Sequence, residues 1–170
     1  MRNLRIAIIG PESSGKSVLT KALAEELDIP YVKEYAREFF ETHDYSNCKI
    51  DDLITIAKKQ FFQCHIEPLN TAIVSDTEMF TMEIWAKDKF NFIPKEIMNL
   101  RKIQKFDLYI LSSPDFEWIY DELRTDSHRR DEIFEMYLNL LNSTKSPFII
   151  VNGTIDERVN KCIKYFSKIH

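Results

Sequence analysis

The segment Gly10-Pro11-Glu12-Ser13-Ser14-Gly15-Lys16-Ser17 constrains this chain more than any other stretch of it. It fits G-x-x-x-x-G-K-[ST]. An apolar run, Arg5 to Ile9, precedes it, and leucines at every fourth position, Leu19, Leu23 and Leu27, follow it. Glycine reaches backbone angles denied to other residues, so such a loop turns successive amide N–H groups inward at the positive end of the next helix. That arrangement cradles a polyphosphate, and Lys16 adds a mobile point charge for the outer phosphates. The Ser17 hydroxyl is a candidate ligand for Mg²⁺, which prefers oxygen donors and keeps much of its water. The chain has three glycines, and two of them stand in this motif. The candidate nucleotide-binding residues are therefore Gly10, Glu12, Ser13, Ser14, Gly15, Lys16, Ser17 and the adjoining Val18.

The rest of the chain alternates short apolar runs with stretches of helical period, the pattern of a parallel sheet covered by helices on both faces. Strands are predicted at Arg5 to Ile9, Pro30 to Lys33, Ala72 to Ser75, Asp107 to Leu111 and Phe148 to Val151. Helices are predicted after the loop, over Asp51 to Ile66, over Thr77 to Lys89, and along the stripe Ile155, Val159, Cys162, Ile163 and Phe166. The last of these starts with a capping-box pair, Thr154 and Glu157. No repeat, Ser/Gly linker or low-complexity segment marks a boundary, so residues 1–170 are expected to form one α/β domain.

In an open parallel sheet, ligands bind beyond the carboxyl ends of the strands. Asp76 ends the third strand in Val74-Ser75-Asp76-Thr77-Glu78 and is the leading acidic candidate. It suits Mg²⁺, directly or through water, or the proton of an attacking hydroxyl, and it also suits a helix N-cap. After the second strand, Glu34, Tyr35 and Arg37 could bind a polar sugar or form an exposed ion pair at a helix start. Either Asp76 or Glu34 could face the reacting hydroxyl. Arg124, His128, Arg129 and Arg130 stand ahead of the stripe Ile133, Phe134, Tyr137, Leu138 and Leu141, where a lid around 123–133 could close. Trp85, Trp118, Tyr35 and Phe62 are candidates to stack on a flat ring or to serve as core.

Composition excludes several classes. The 27 acidic and 23 basic residues are spread along the chain and leave no basic face for a nucleic acid. No apolar run approaches the ~20 residues needed to span a bilayer, and the cytoplasm is the expected address. The three cysteines, Cys48, Cys64 and Cys162, form no C-x-x-C pair and read as ordinary thiols. A guanine-reading switch would show D-x-x-G and N-K-x-D, yet Asp76 is followed by Thr-Glu-Met and no N-K-x-D occurs. A small-molecule kinase and a nucleotide-dependent binding module remain.

Four blocks in order carry a resemblance: Gly10 to Ser17, Glu34 to Phe39, Ser75 to Glu78, and Glu117-Trp118-Ile119-Tyr120-Asp121-Glu122-Leu123-Arg124. Together they resemble the ribosylnicotinamide kinase domain of NadR-type proteins, and His128-Arg129-Arg130 extends the likeness over nearly the whole chain. The resemblance implies a P-loop NTPase three-layer sandwich, a parallel five-stranded sheet with a small lid. It also implies ATP and Mg²⁺ as cofactors and a nucleoside as partner, with γ-phosphoryl transfer to the 5′-hydroxyl of nicotinamide riboside. By position it assigns Lys16, Ser17 and Asp76 to the transfer centre and Glu34, Tyr35, Arg37 and Trp118 to the substrate. Arg124 and Arg129 become catalytic lid arginines, and Arg130 a nucleotide contact. The resemblance further implies a kinase domain standing without the adenylyltransferase domain of well-known members. The resemblance also implies that Lys33 stands where some members carry an aromatic to stack on nicotinamide.

Overall fold

The computed structural model describes residues 4–67, 71–119 and 128–169. Five strands form one sheet: β1 (Arg5–Ile9), β2 (Tyr31–Val32), β3 (Ile73–Asp76), β4 (Leu108–Ser112) and β5 (Phe148–Val151). Their order is β2-β3-β1-β4-β5, and every described pairing is parallel. Seven helices among the described residues cover it: α1 (Lys16–Leu27), α2 (Tyr35–Phe40), α3 (Ile50–His65), α4 (Met79–Phe90), α5 (Lys95–Ile103), α6 (Arg130–Thr144) and α7 (Ile155–Ile169). The predicted strands and parallel α/β sandwich are thus present.

Alternation along β1 builds both layers of the core. Ile6 and Ile8 pack with Leu19 and Leu23 of α1 and Cys162 and Phe166 of α7. Ala7 and Ile9 face the other way, against Phe80 and Ile84 of α4 and Ile133, Tyr137 and Leu141 of α6. A third cluster joins α2, α3, α4 and α5 through Phe39, Leu53, Ile56, Met82 and Ile97. Burying one Ile or Leu this way contributes about 1.5–3 kcal/mol, so the sheet is held from both faces. All three cysteines are free and buried.

Two local details depart from expectation. Helix α4 begins at Met79 rather than Thr77, because Thr77 takes a left-handed φ of 70° and Glu78 caps the helix. The segment 123–133 is not uniform: Arg130 to Ile133 form the first turn of α6, whereas Arg124 lies outside the described residues. Among the described residues no helix is long and apolar enough to cross a membrane.

Candidate active site

The sheet pairs β1 with β3 so that Ile8 stands opposite Asp76, and it delivers the phosphate-loop motif and the acid to the same carboxyl edge. Gly10 has a φ of 143°, and a Cβ there would sit 2.6 Å from the Ser112 carbonyl oxygen. Gly15, at φ 79°, caps α1 without a side-chain hydrogen bond, and α1 has no acidic residue in its first turn. Its amide end therefore keeps its positive field available to an anion. Inside the loop the Ser14 hydroxyl donates to the Pro11 carbonyl at 2.8 Å, and Lys16 Nζ donates to the same oxygen at 2.7 Å.

The Asp76 side chain is buried beneath this loop. Ser17 and Lys16 favour its charged form, while Oδ1 is buried without a hydrogen-bond partner among the described residues. Loss of solvation, then the Glu34 charge, pushes the Asp76 pKa up to about 6 against the opposing pull of Lys16, Ser17 and Arg37. A buried carboxylate with an unpaired oxygen is an acceptor that awaits a cation or a proton.

Gln60 brings Glu34 into this neighbourhood. Its side chain is fully buried on α3; Oε1 accepts from Tyr35 N at 2.8 Å, and Nε2 donates to the carbonyls of Lys33 and Asp76, both at 3.3 Å. One amide thus ties the end of β2 to the end of β3. Sequence reasoning missed it, although a lone glutamine inside the stripe Leu53, Ala57, Cys64 was the available signal. Glu34 pairs with Arg37 at 3.4 Å, as the i,i+3 spacing anticipated.

A cleft of about 590 Å³ opens over these groups, within the usual range for a small-molecule site of ~300–1,000 Å³. Its lining includes the loop, Gly10 to Val18, together with Phe116 and Ile155, and Glu34, Arg37, Thr77, Tyr45, Trp85 and Asp88. Tyr45 and Trp85 stand 6.0 Å apart between ring centroids and make an aromatic wall.

The remaining candidates lie off this lining. Tyr35 packs beside Phe39, with ring centroids 6.4 Å apart. Trp118 Nε1 donates to Glu12 Oε2 at 3.4 Å, on the phosphate-loop side. Arg129 pairs with Asp88 at 2.7 Å and Glu132 at 2.9 Å, and Arg130 Nη1 donates to the Phe116 carbonyl at 2.8 Å. Glu78, which the sequence left unassigned, is buried, accepts from the Phe80 and Thr81 amides and from Gln104, and has its pKa pushed up to about 7, chiefly by desolvation.

A family model described as an AAA domain matches residues 5–158. The chain belongs to this AAA domain family. The trifunctional NAD biosynthesis/regulator protein NadR of Escherichia coli (strain K12) is 26% identical over 170 residues, covering 94% of this chain and 41% of its own length. The chain thus spans less than half the length of that relative. Among solved structures, a NadR protein in complex with NR aligns with a TM-score of 0.77 at 21% identity, over 98% of this chain and 50% of the other. A NadR protein in complex with NAD and AMP-PNP aligns with a TM-score of 0.74 at 19% identity, over 97% and 50%. These likenesses show that the five-stranded parallel sheet with helices on both faces is a shared fold.

Proposed function

We propose that this chain is an ATP-dependent kinase that transfers the γ-phosphoryl group to the 5′-hydroxyl of nicotinamide riboside, giving nicotinamide mononucleotide. The observation that carries the reading is Asp76, buried under the cleft with one unpartnered oxygen, beside Lys16 and Ser17 and within the field of Glu34. A NadR protein bound to NR and another bound to AMP-PNP share the fold and support this choice of acceptor and donor.

In this reading the loop amides and Lys16 hold the triphosphate, and Glu34 and Arg37 orient the ribose. The aromatic wall of Tyr45 and Trp85 flanks the ring. Among the described residues no group of three or more His, Cys, Asp and Glu could hold a metal by itself. An ion carried in on phosphates needs only one or two protein oxygens, and the Ser17 hydroxyl and the open Asp76 oxygen fit that need. Mg²⁺ held by Ser17 and Asp76 would neutralise charge on the β- and γ-phosphate oxygens. Asp76 or Glu34 accepts the proton as the 5′-oxygen attacks phosphorus and the bond to the bridging oxygen of ADP breaks.

The test supplies ATP, Mg²⁺ and a panel of nucleosides and follows ADP release with product mass. Release stimulated by nicotinamide riboside, with a product heavier by one phosphoryl group, is expected. Stimulation by a different nucleoside would replace the acceptor, and slow hydrolysis indifferent to every nucleoside would reject the kinase.

A further inference from the structure

Arg158, in the first turn of α7, heads the largest fully buried side chains of the described structure. A buried guanidinium must have its donors satisfied, and where those donors go states what the residue does. Nη1 donates to the Ser14 carbonyl at 2.8 Å and to Ser112 Oγ at 2.6 Å. Nε donates to the Gly153 carbonyl at 2.9 Å, and Nη2 reaches the Ser113 carbonyl at 3.4 Å and pairs with Asp115. The guanidinium also lies 4.3 Å from the centroid of the Phe116 ring, the ring that meets Gly15. Through these contacts one side chain joins the loops at the carboxyl ends of β1, β4 and β5.

The contact with the phosphate loop is specific in direction. The Ser14 carbonyl accepts from Arg158 and, at 2.7 Å, from Ser112 Oγ. Ser14 C=O and Gly15 N–H belong to one planar peptide unit, in which the two groups point opposite ways. Fastening the carbonyl from behind therefore aims the Gly15 amide away from Arg158, and a charged donor on the carbonyl polarises that amide into a stronger donor itself.

We propose that Arg158 is a positioning residue for nucleotide phosphates, orienting and polarising the Ser14–Gly15 peptide without touching the ligand. The inference rests on the reading that this loop binds a nucleoside triphosphate, and it does not need the acceptor to be known. A preorganised amide favours ligands with β- and γ-phosphates over a ligand with one phosphate, whereas plain fold maintenance would affect all nucleotides alike.

The experiment uses the full chain and the variants Arg158→Gln and Arg158→Lys, with ATP and AMP affinities measured calorimetrically by competition in Mg²⁺. Arg158→Gln is expected to weaken ATP by roughly 10- to 100-fold, the scale of one lost charge-assisted hydrogen bond, and to lower the ATP-to-AMP preference. Arg158→Lys should fall between, and added guanidinium ion should restore part of the ATP affinity of Arg158→Gln. Equal weakening of ATP and AMP, unchanged ATP binding in a folded variant, or unfolding of both variants would overturn the proposal. If the unaltered chain binds ATP and the pattern holds while no nucleoside is phosphorylated, the kinase reading falls and this inference stands. If the unaltered chain binds no ATP, both fall.

Discussion

The charge of Glu34 reaches the Asp76 carboxylate where β2 and β3 end, and it is the second-largest cause, after burial, of the raised Asp76 pKa. Glu34 caps α2 with an extended backbone, and Gln60 fastens that junction to the end of β3. The proximity is therefore built by the fold.

Asp76 must be ionised to hold a cation or accept a proton, so kcat/KM should fall about tenfold per pH unit below an apparent pKa of about 6. Removing the Glu34 charge lowers the energy of ionised Asp76, and Glu34→Gln should therefore move this acid limb to lower pH. A limb that stays put, or moves upward, would show that Glu34 does not govern Asp76.

Asp76→Asn should separate stability from turnover. The folded pKa of about 6 lies above the ordinary 3.8, so folding favours the protonated acid. That contribution is complete below the unfolded pKa and is lost as pH rises through about 6. At pH 7 the neutral amide should recover on the order of 1–3 kcal/mol, seen as a higher Tm, while kcat falls by roughly 10²-fold or more. Scans at pH 4 and pH 7 check the sign, since the gain should vanish at the lower pH. Near-normal kcat would remove Asp76 from the chemistry.

What the sequence made legible was local. The loop motif, five strand positions and the Thr154–Glu157 capping box, whose hydrogen bonds measure 2.8 and 3.3 Å, are each set by residues only a few positions apart. Arg158 was invisible because its partners other than Gly153 sit 43 to 144 residues away, and a charged residue in an amphipathic helix reads as solvent-facing. Gln60 escaped for the same reason, with partners 25 to 27 residues off at the second strand's end. Helix α5 escaped because it buries only Ile97, too thin a stripe to register. For Asp76, the leading acidic candidate, the sequence also left a helix N-cap open, yet Glu78 takes that role and leaves the Asp76 oxygen free of it.

The two loop glycines should respond differently to alanine. At Gly10 the added methyl meets a backbone oxygen, Ser112 O, whereas at Gly15 it meets the edge of the Phe116 side chain, each at 2.6 Å. A ring can rotate and a paired strand end cannot. Both positions also strain an L residue, by about 1–3 kcal/mol. Gly10→Ala should thus lower Tm more than Gly15→Ala, whose main loss should appear as weaker ATP binding. The reverse order in thermal scans would contradict the close approach of β4 to the loop.

The two tryptophans report on different neighbourhoods, the phosphate loop and the aromatic wall. Trp118 donates to Glu12 on the phosphate loop, and Trp85 stands with Tyr45 on the cleft wall. Since the chain has only these two, each single replacement by phenylalanine leaves one fluorophore. In Trp85→Phe the remaining emission should change with ATP and respond little to nicotinamide riboside, because the indole N–H bond to Glu12 is disturbed when phosphates enter the loop. In Trp118→Phe the order should invert, with quenching by the pyridinium stacked against Trp85. Identical responses in the two variants would mean that acceptor and nucleotide do not divide the cleft as its lining implies.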